Sequence, residues 1–268
     1  MKNGKYQILL TNDDGIQSPG LWAAAEALSK IGFVTVAAPR QQATSAGRSY
    51  PISSDGKITP TSLKIGEQIW TCYAIGGSPA QSVLHGLFEV MPFKPDLVVS
   101  GINYGENIGH GITISGTVGA ALEAASMGIP ALATSLQLED TDWYSYSPEV
   151  DFSTAAYFTA YFAQKMLENQ LPPDVDVLKL DVPDNATPQT PWRVTRIGRH
   201  RYYMPAIQRS GDWNSPSQIA CTIGEDLESL PKDSDIYTLV VDRMVSVCPL
   251  SLDLTSRVDF KDLTKNLE

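Results

Sequence analysis

The hydrophobic pattern of this chain is a series of short apolar runs, each closed by polar residues, glycine or proline. Ile8-Leu-Leu10 and Leu97-Val-Val99 are unbroken and too short for helices. Such runs read as strands buried on both faces of a parallel sheet. Val34 to Ala38, Trp70 to Ile75 and Ala131 to Ser135 add three more strand candidates. Between them, apolar residues recur at helical spacing. Leu21, Trp22, Ala25 and Leu28 follow Ser18-Pro19, which reads as an N-cap and a first-turn proline. Val83, Leu84, Leu87 and Phe88 form one face after Ser78-Pro79, and Thr117 to Met127 is a small-residue helix. Residues 48–68 are turn-rich and read as an excursion from the sheet. This β–α alternation predicts a doubly wound parallel sheet.

The pattern changes beyond residue 140. Trp143 to Tyr146 reads as an aromatic surface loop, Phe152 to Glu168 as an amphipathic helix, and Val175 to Val182 as a strand. Trp192 to Ile197, Ile236 to Val241 and Met244 to Val247 are scattered β segments without helical crossovers. The reading is an α/β core over residues 1–185 and a β-hairpin extension with a tail over 186–268, within one structural unit. Residues 199–203, Arg-His-Arg-Tyr-Tyr, sit on the hairpin arm, either as a basic-aromatic contact surface or as an ordinary arm used in subunit contact.

Composition narrows the functional classes. A chain of 268 residues with 43% hydrophobic content can bury a substantial core, and its net charge of −10 argues against coating a nucleic-acid polymer. Single nucleotides remain open, because a local cation can hold them. No apolar run approaches the roughly 18 residues of a membrane span. The start reads as no signal peptide, and Cys72, Cys221 and Cys248 match neither a disulfide framework nor a zinc pattern. They read as buried thiols in a reducing, cytoplasmic setting.

Two polar stretches carry the chemistry. The first strand ends in Thr11-Asn-Asp-Asp-Gly15, so Asp13 and Asp14 stand at a strand carboxyl end, where open α/β sheets bind ligands. The plain alternative is a solvated turn. The second stretch runs from Ser100 to Thr117 after another buried strand. Asn103 offers an amide oxygen to a hard cation, and Asn107 offers an amide donor or acceptor. Ser115-Gly116-Thr117 places hydroxyls and free N–H groups at a helix start, an anion site in the making. Asp13, Asp14, Thr44 and Asn103 are all oxygen donors, suited to Mg²⁺, Mn²⁺ or Ca²⁺ rather than zinc. A divalent ion beside an anion-binding helix start is the equipment for transferring a phosphoryl group to water. His110 is either a proton donor to a leaving group or an exposed loop residue; His85 and His200 read as structural.

Leu10-Thr-Asn-Asp-Asp-Gly15, Ala38-Pro39 with its polar loop, Val98-Val-Ser-Gly-Ile-Asn103 and Ser115-Gly-Thr-Val-Gly-Ala120 resemble the signature blocks of the SurE (survival protein E) family. Val245-Ser-Val-Cys-Pro-Leu250, with Leu252 to Thr255, resembles that family's C-terminal strand and tail. The resemblance implies a Rossmann-like core with a C-terminal β extension through which subunits pair as homodimers or homotetramers. It implies one divalent ion, Mg²⁺ or Mn²⁺, and hydrolysis of nucleoside 5′- and 3′-monophosphates, with short polyphosphate as a further substrate of some members. Carried over by position, the metal ligands are Asp13, Asp14, Thr44 and Asn103, with Asp13, Asp14 and Asn103 catalytic. Asn107, Ser115, Gly116 and Thr117 are then the phosphate contacts. Three blocks depart from the pattern. Thr44 replaces the usual serine and has Ser45 as an adjacent rival; Asn107-Ile-Gly-His-Gly111 lacks two acidic residues; and Gly77-Ser-Pro-Ala-Gln-Ser82 replaces Gly-Thr-Pro-x-Asp-Cys. A phosphatase for non-nucleotide phosphomonoesters and a non-catalytic nucleotide-binding module are the competing readings.

Overall fold

The computed structural model describes residues 5–65, 67–138, 147, 149–209, 211–217, 219–224, 227 and 229–268. The aromatic 143–146 stretch lies outside them. The apolar runs become β1 (Tyr6–Thr11), β2 (Gly32–Pro39), β4 (Gln68–Ile75), β5 (Leu97–Tyr104), β6 (Ala131–Leu136) and β7 (Val177–Val182). Ile8, Leu9 and Leu10 have no exposed surface, as expected for a strand covered on both faces. The helices are α1 (Pro19–Leu28), α2 (Pro79–His85), α3 (Gly116–Ser126) and α4 (Ser153–Glu168). Helices α1 and α4 cover one face of the sheet, through Leu21, Trp22, Phe158 and Phe162; α2 and α3 cover the other, through Val83, Val118 and Ala121.

Counting β3 (Ile58–Ile65), β8 (Trp192–Val194) and β11 (Val245–Leu250), nine strands form one sheet in the order β3-β4-β2-β1-β5-β6-β7-β11-β8. The six from β4 to β7 are parallel; β3 and β11 run antiparallel to β4 and β7, and β8 runs parallel to β11. The chain therefore winds outward in one direction from β1 and in the other from β5. Their neighbouring carboxyl ends form the switch-point crevice of a doubly wound sheet.

Four local readings need correction. Residues 58–65 are no excursion but the edge strand β3, paired along its whole length with β4. Phe88 is exposed, because α2 widens into a π turn over Gly86–Val90 and the helical face rotates. Residues 237–241 form a second π-helical turn rather than a strand, and α5 (Phe260–Leu267) is a further helix in the last third. Cys72 and Cys248 are buried, but Cys221 is exposed. The hairpin arm is present as β9 (Tyr203–Ile207) and β10 (Ile219–Ile223), an antiparallel ribbon separate from the main sheet. Strands β8 and β11, from the segment set aside as an extension, complete the main sheet. No helix among the described residues is long and apolar enough to cross a membrane.

Candidate active site at the β1–β5 crevice

The site begins with how β1 ends. Asn12 closes its own turn, accepting from the Gly15 N–H and donating to the Gly15 carbonyl, both at 3.1 Å. Thr11, Asn12, Asp13 and Asp14 are each 3% exposed or less, which rules out the solvated turn. Two adjacent carboxylates are thus held out of water, and desolvation penalises their charged forms.

Asp13 is raised from 3.8 to about 6 by burial, against hydrogen bonds that pull it down, first from the Thr117 hydroxyl and then from backbone groups including Thr117 and Gly116. That hydroxyl donates to Asp13 Oδ1 at 2.5 Å. The anion facing the α3 amino terminus is therefore Asp13 itself. Gly116 is required there, because a Cβ would lie 2.6 Å from Asp13 Cβ. Asp14 is raised well above its usual range by burial and then by the charge of Asp13. It accepts from the Tyr104 N–H at 3.1 Å and from Gln42 Nε2 at 3.4 Å.

The neighbouring strand delivers Asn103 to the same edge. Thr11 and Ser100 are the last paired residues of β1 and β5. Strand β5 then shifts register against β6 between Ser100 and Asn103. Gly101 makes this possible: its φ is +135°, and a Cβ would lie 2.3 Å from the Thr134 carbonyl oxygen. The Asn103 amide nitrogen is committed to the carbonyls of Tyr104 (3.1 Å) and Gly105 (2.7 Å). Its Oδ1 is the atom left to act on a ligand.

Thr44 and Ser45 do not sit in an extended loop. Ala46 N–H returns to the Ala43 carbonyl at 3.2 Å, making them the middle of a β-turn, with Ser45 at φ +62°. The turn is tied to the carboxylate pair by Ala43 N–H on the Asp13 carbonyl at 2.7 Å, and both hydroxyl residues are exposed.

The residues expected to meet the phosphate follow. Ser115 caps α3, its Oγ accepting from Val118 N–H at 3.1 Å, which leaves its own proton free to donate. Asn107 is half-buried and donates from Nδ2 to Ser135 Oγ at 2.8 Å. His110 is exposed on the 3₁₀ turn Gly109–Thr113; its backbone N–H donates to the His200 carbonyl at 2.9 Å and its carbonyl accepts from the Thr113 hydroxyl at 3.1 Å. A groove of about 760 Å³ lies elsewhere, between α1 and α4, lined by Trp22, Ala156, Tyr157 and Tyr161 among others. It is distant from the chemistry just described, being on a helical face rather than at the strand ends.

Comparison with known proteins decides the family. The profile of the family described as Survival protein SurE matches residues 8–204. The chain belongs to the SurE family. It is 39% identical over 261 residues to a protein named 5′-nucleotidase SurE from Methanocella arvoryzae, covering 94% of each chain. A 5′-nucleotidase SurE from Thermococcus kodakarensis is 38% identical, covering 97% of this chain and 98% of its own. The crystal structure of the SurE protein from Aquifex aeolicus superposes with a TM-score of 0.74 at 30% identity, over 98% of this chain and 100% of that one.

Within this SurE fold, Asp13, Asp14 and Asn103 gather at one crevice, and Thr117 reaches it through Asp13. Among the described residues no group of three or more His, Cys, Asp or Glu could hold a metal ion. Any ion at the carboxylate pair would therefore be completed by neutral oxygens: side-chain amide or hydroxyl, backbone carbonyl, or water. The residues fit a hard divalent cation on that count: the donors are all oxygen, and a cation would relieve the buried repulsion between Asp13 and Asp14. Sequence reading missed the groups behind the loop, Ser135, Lys179, Asp181 and Asp235. The signal was there in Val177-Leu-Lys-Leu-Asp-Val182, where a lysine and an aspartate two apart interrupt a buried strand.

Proposed function

We propose that the chain is a divalent-metal-dependent phosphomonoesterase that hydrolyses nucleoside 5′-monophosphates, and 3′-monophosphates as well, to nucleoside and phosphate. The observation that carries this reading is the buried Asp13–Asp14 pair at the β1–β5 switch point, with Asn103 on the adjacent strand end, next to the Tyr104 N–H that Asp14 accepts. The names of the relatives support the nucleotide as substrate. Asp13, Asp14, Asn103 and Thr44 would hold one Mg²⁺ or Mn²⁺. Such an ion supplies charge compensation for the phosphoryl oxygens and a lowered pKa for water. One of the paired carboxylates accepts the proton of the attacking water. The Ser115 hydroxyl and the Asn107 side chain bind and orient the phosphate, while Gly116 and Thr117 at the start of α3 hold Asp13, so that water and leaving oxygen lie in line through phosphorus.

The active unit is a homodimer or homotetramer, joined through residues after about 185. The β9–β10 ribbon exposes Ile207, Ile219 and Ile223, and α5 exposes Phe260, Leu263 and Leu267 on a helix too short to be stable alone. The substrate assignment is tested by phosphate release from purine and pyrimidine 5′- and 3′-monophosphates, sugar phosphates and short polyphosphate. Turnover concentrated on nucleotides supports it. Preference for sugar phosphates overturns the substrate class, and binding without turnover under any metal turns the protein into a nucleotide-binding module.

A further inference from the structure

Lys179 is the largest side chain with no exposed surface among the described residues, and it lies on an interior strand where apolar residues belong. Its ammonium group donates to the Asn107 carbonyl at 2.7 Å, to Asp181 Oδ2, and to Asp235 Oδ2 at 3.3 Å. All three protons are accounted for. Asp181 Oδ1 in turn accepts the Asn107 N–H at 2.8 Å. The peptide groups on both sides of Asn107 are thereby closed into a ring through one ion pair. Asp235 extends the hold by accepting the Gly109 N–H at 3.1 Å, while its other oxygen takes the N–H groups of Gly198 (2.8 Å) and Ile236 (2.9 Å).

Burying a lysine with two aspartates stabilises a fold poorly compared with apolar side chains of the same volume. Such a cluster does fix geometry, and here it fixes one short loop. We infer that Lys179 and Asp181 are positioning residues that set the Asn107 side chain at the phosphate, acting through its backbone. Neither touches substrate. The inference rests on the reading of Asn107 as a phosphate contact and adds the groups that make it rigid. The loop from Gly105 to Gly111 holds three glycines and is anchored on either side of Asn107 by the buried Glu106 and Ile108. Among the described residues the Asn107 side chain has a single hydrogen bond of its own, to Ser135 Oγ at 2.8 Å; the rest of its placement comes from its backbone. A contact displaced by even 1 Å loses much of its value to a bound phosphoryl group.

The test compares Lys179→Met, Asn107→Ala and the double variant, each shown to unfold cooperatively, at one fixed Mn²⁺ concentration. The readouts are KM for a nucleoside monophosphate, kcat, and the Ki of inorganic phosphate as competitor. Lys179→Met is expected to raise Ki and KM about tenfold, with a smaller change in kcat. In the Asn107→Ala background the same substitution should change Ki less than twofold, because no amide remains to be misplaced. A purely structural lysine would weaken both backgrounds by the same factor, and that result overturns the inference. So does a folded Lys179→Met with unchanged Ki while Asn107→Ala is impaired. If Asn107→Ala itself leaves Ki unchanged, the phosphate reading of Asn107 fails, and the inference with it. Should Lys179→Met not fold, Lys179→Met/Asp181→Leu removes both anchors and one of the two carboxylates left without the lysine, while Asp235 keeps its three N–H donors. It is expected to show the same rise in Ki, and a wild-type Ki in that variant is equally decisive against the proposal.

Discussion

Asp13 ionises at a cost that the metal-free protein bears alone. Its carboxyl is raised from 3.8 to about 6, chiefly by burial. That difference corresponds to about 3 kcal/mol of destabilisation once both folded and unfolded states are ionised. The sign follows from proton uptake. Between pH 3.8 and 6 the folded state binds the proton more tightly than the unfolded chain, so the stabilising contribution is complete below pH 3.8 and lost as pH rises through 6. Asp13→Asn removes the charge, keeps an oxygen to accept from the Thr117 hydroxyl and relieves the repulsion on Asp14. The metal-free variant is therefore expected to be more stable than the wild type at pH 7.5 by about 1–3 kcal/mol, the lower figure allowing for weaker acceptance by an amide. For a chain of this size that is a rise of roughly 2–10 °C in melting temperature. The assay is thermal unfolding of both proteins in EDTA from pH 7.5 down to pH 4.5, taking the difference between them so that buried acids not coupled to Asp13 cancel, Asp14 being carried with Asp13 as one pair. The difference should hold nearly level down to about pH 6 and shrink as pH falls below that, and Mn²⁺ should raise the melting temperature of the wild type alone. A variant less stable than the wild type at pH 7.5 would refute the reasoning, making Asp13 a structural acceptor rather than a strained ligand.

Thr44→Val keeps shape but removes an oxygen, so the Mn²⁺ concentration for half-maximal activity should rise at least fivefold, while Ser45→Ala changes it less than twofold; the reverse order in a metal titration would make Ser45 the ligand. Ser45→Gly relieves a positive φ, so it should stabilise the protein by up to about 1 kcal/mol in denaturant unfolding without altering metal affinity. Gly116→Ala pushes a methyl to within 2.6 Å of Asp13 Cβ and should lower kcat/KM by about 100-fold or more; an active variant would show that Asp13 can move freely. Sedimentation at micromolar concentration should give a dimer or tetramer, and deletion of 253–268 should weaken it; a wild-type monomer contradicts the assembly.

The fold was legible wherever burial on both faces left an unbroken apolar run, as in Ile8-Leu-Leu10 and Leu97-Val-Val99. It was illegible where pairing rather than pattern decides. Ile58–Ile65 is strand because β4 offers an edge, although four of its eight residues are exposed and none is fully buried. Tyr237–Val241 carries strand-forming residues, yet it is held in a helical turn by Ser234 and Asp235 at its start. The carboxylate pair and the two asparagines were visible because ligand chemistry interrupts apolar periodicity at strand ends. The turn at Thr44-Ser45 was not, since a serine at positive φ has no composition signature. Nor was the purpose of Lys179, whose partners lie 72 and 56 residues away in sequence as well as two positions along its own strand.

The central claim is that this crevice performs metal-dependent hydrolysis of nucleotides. Its most direct test is phosphate release from a nucleoside 5′-monophosphate by the metal-stripped protein, by the same sample with Mg²⁺ or Mn²⁺ restored, and by Asp13→Asn under both conditions. The account predicts release only from the wild type with metal restored. Release by the stripped protein, or by Asp13→Asn at the wild-type rate, would contradict it.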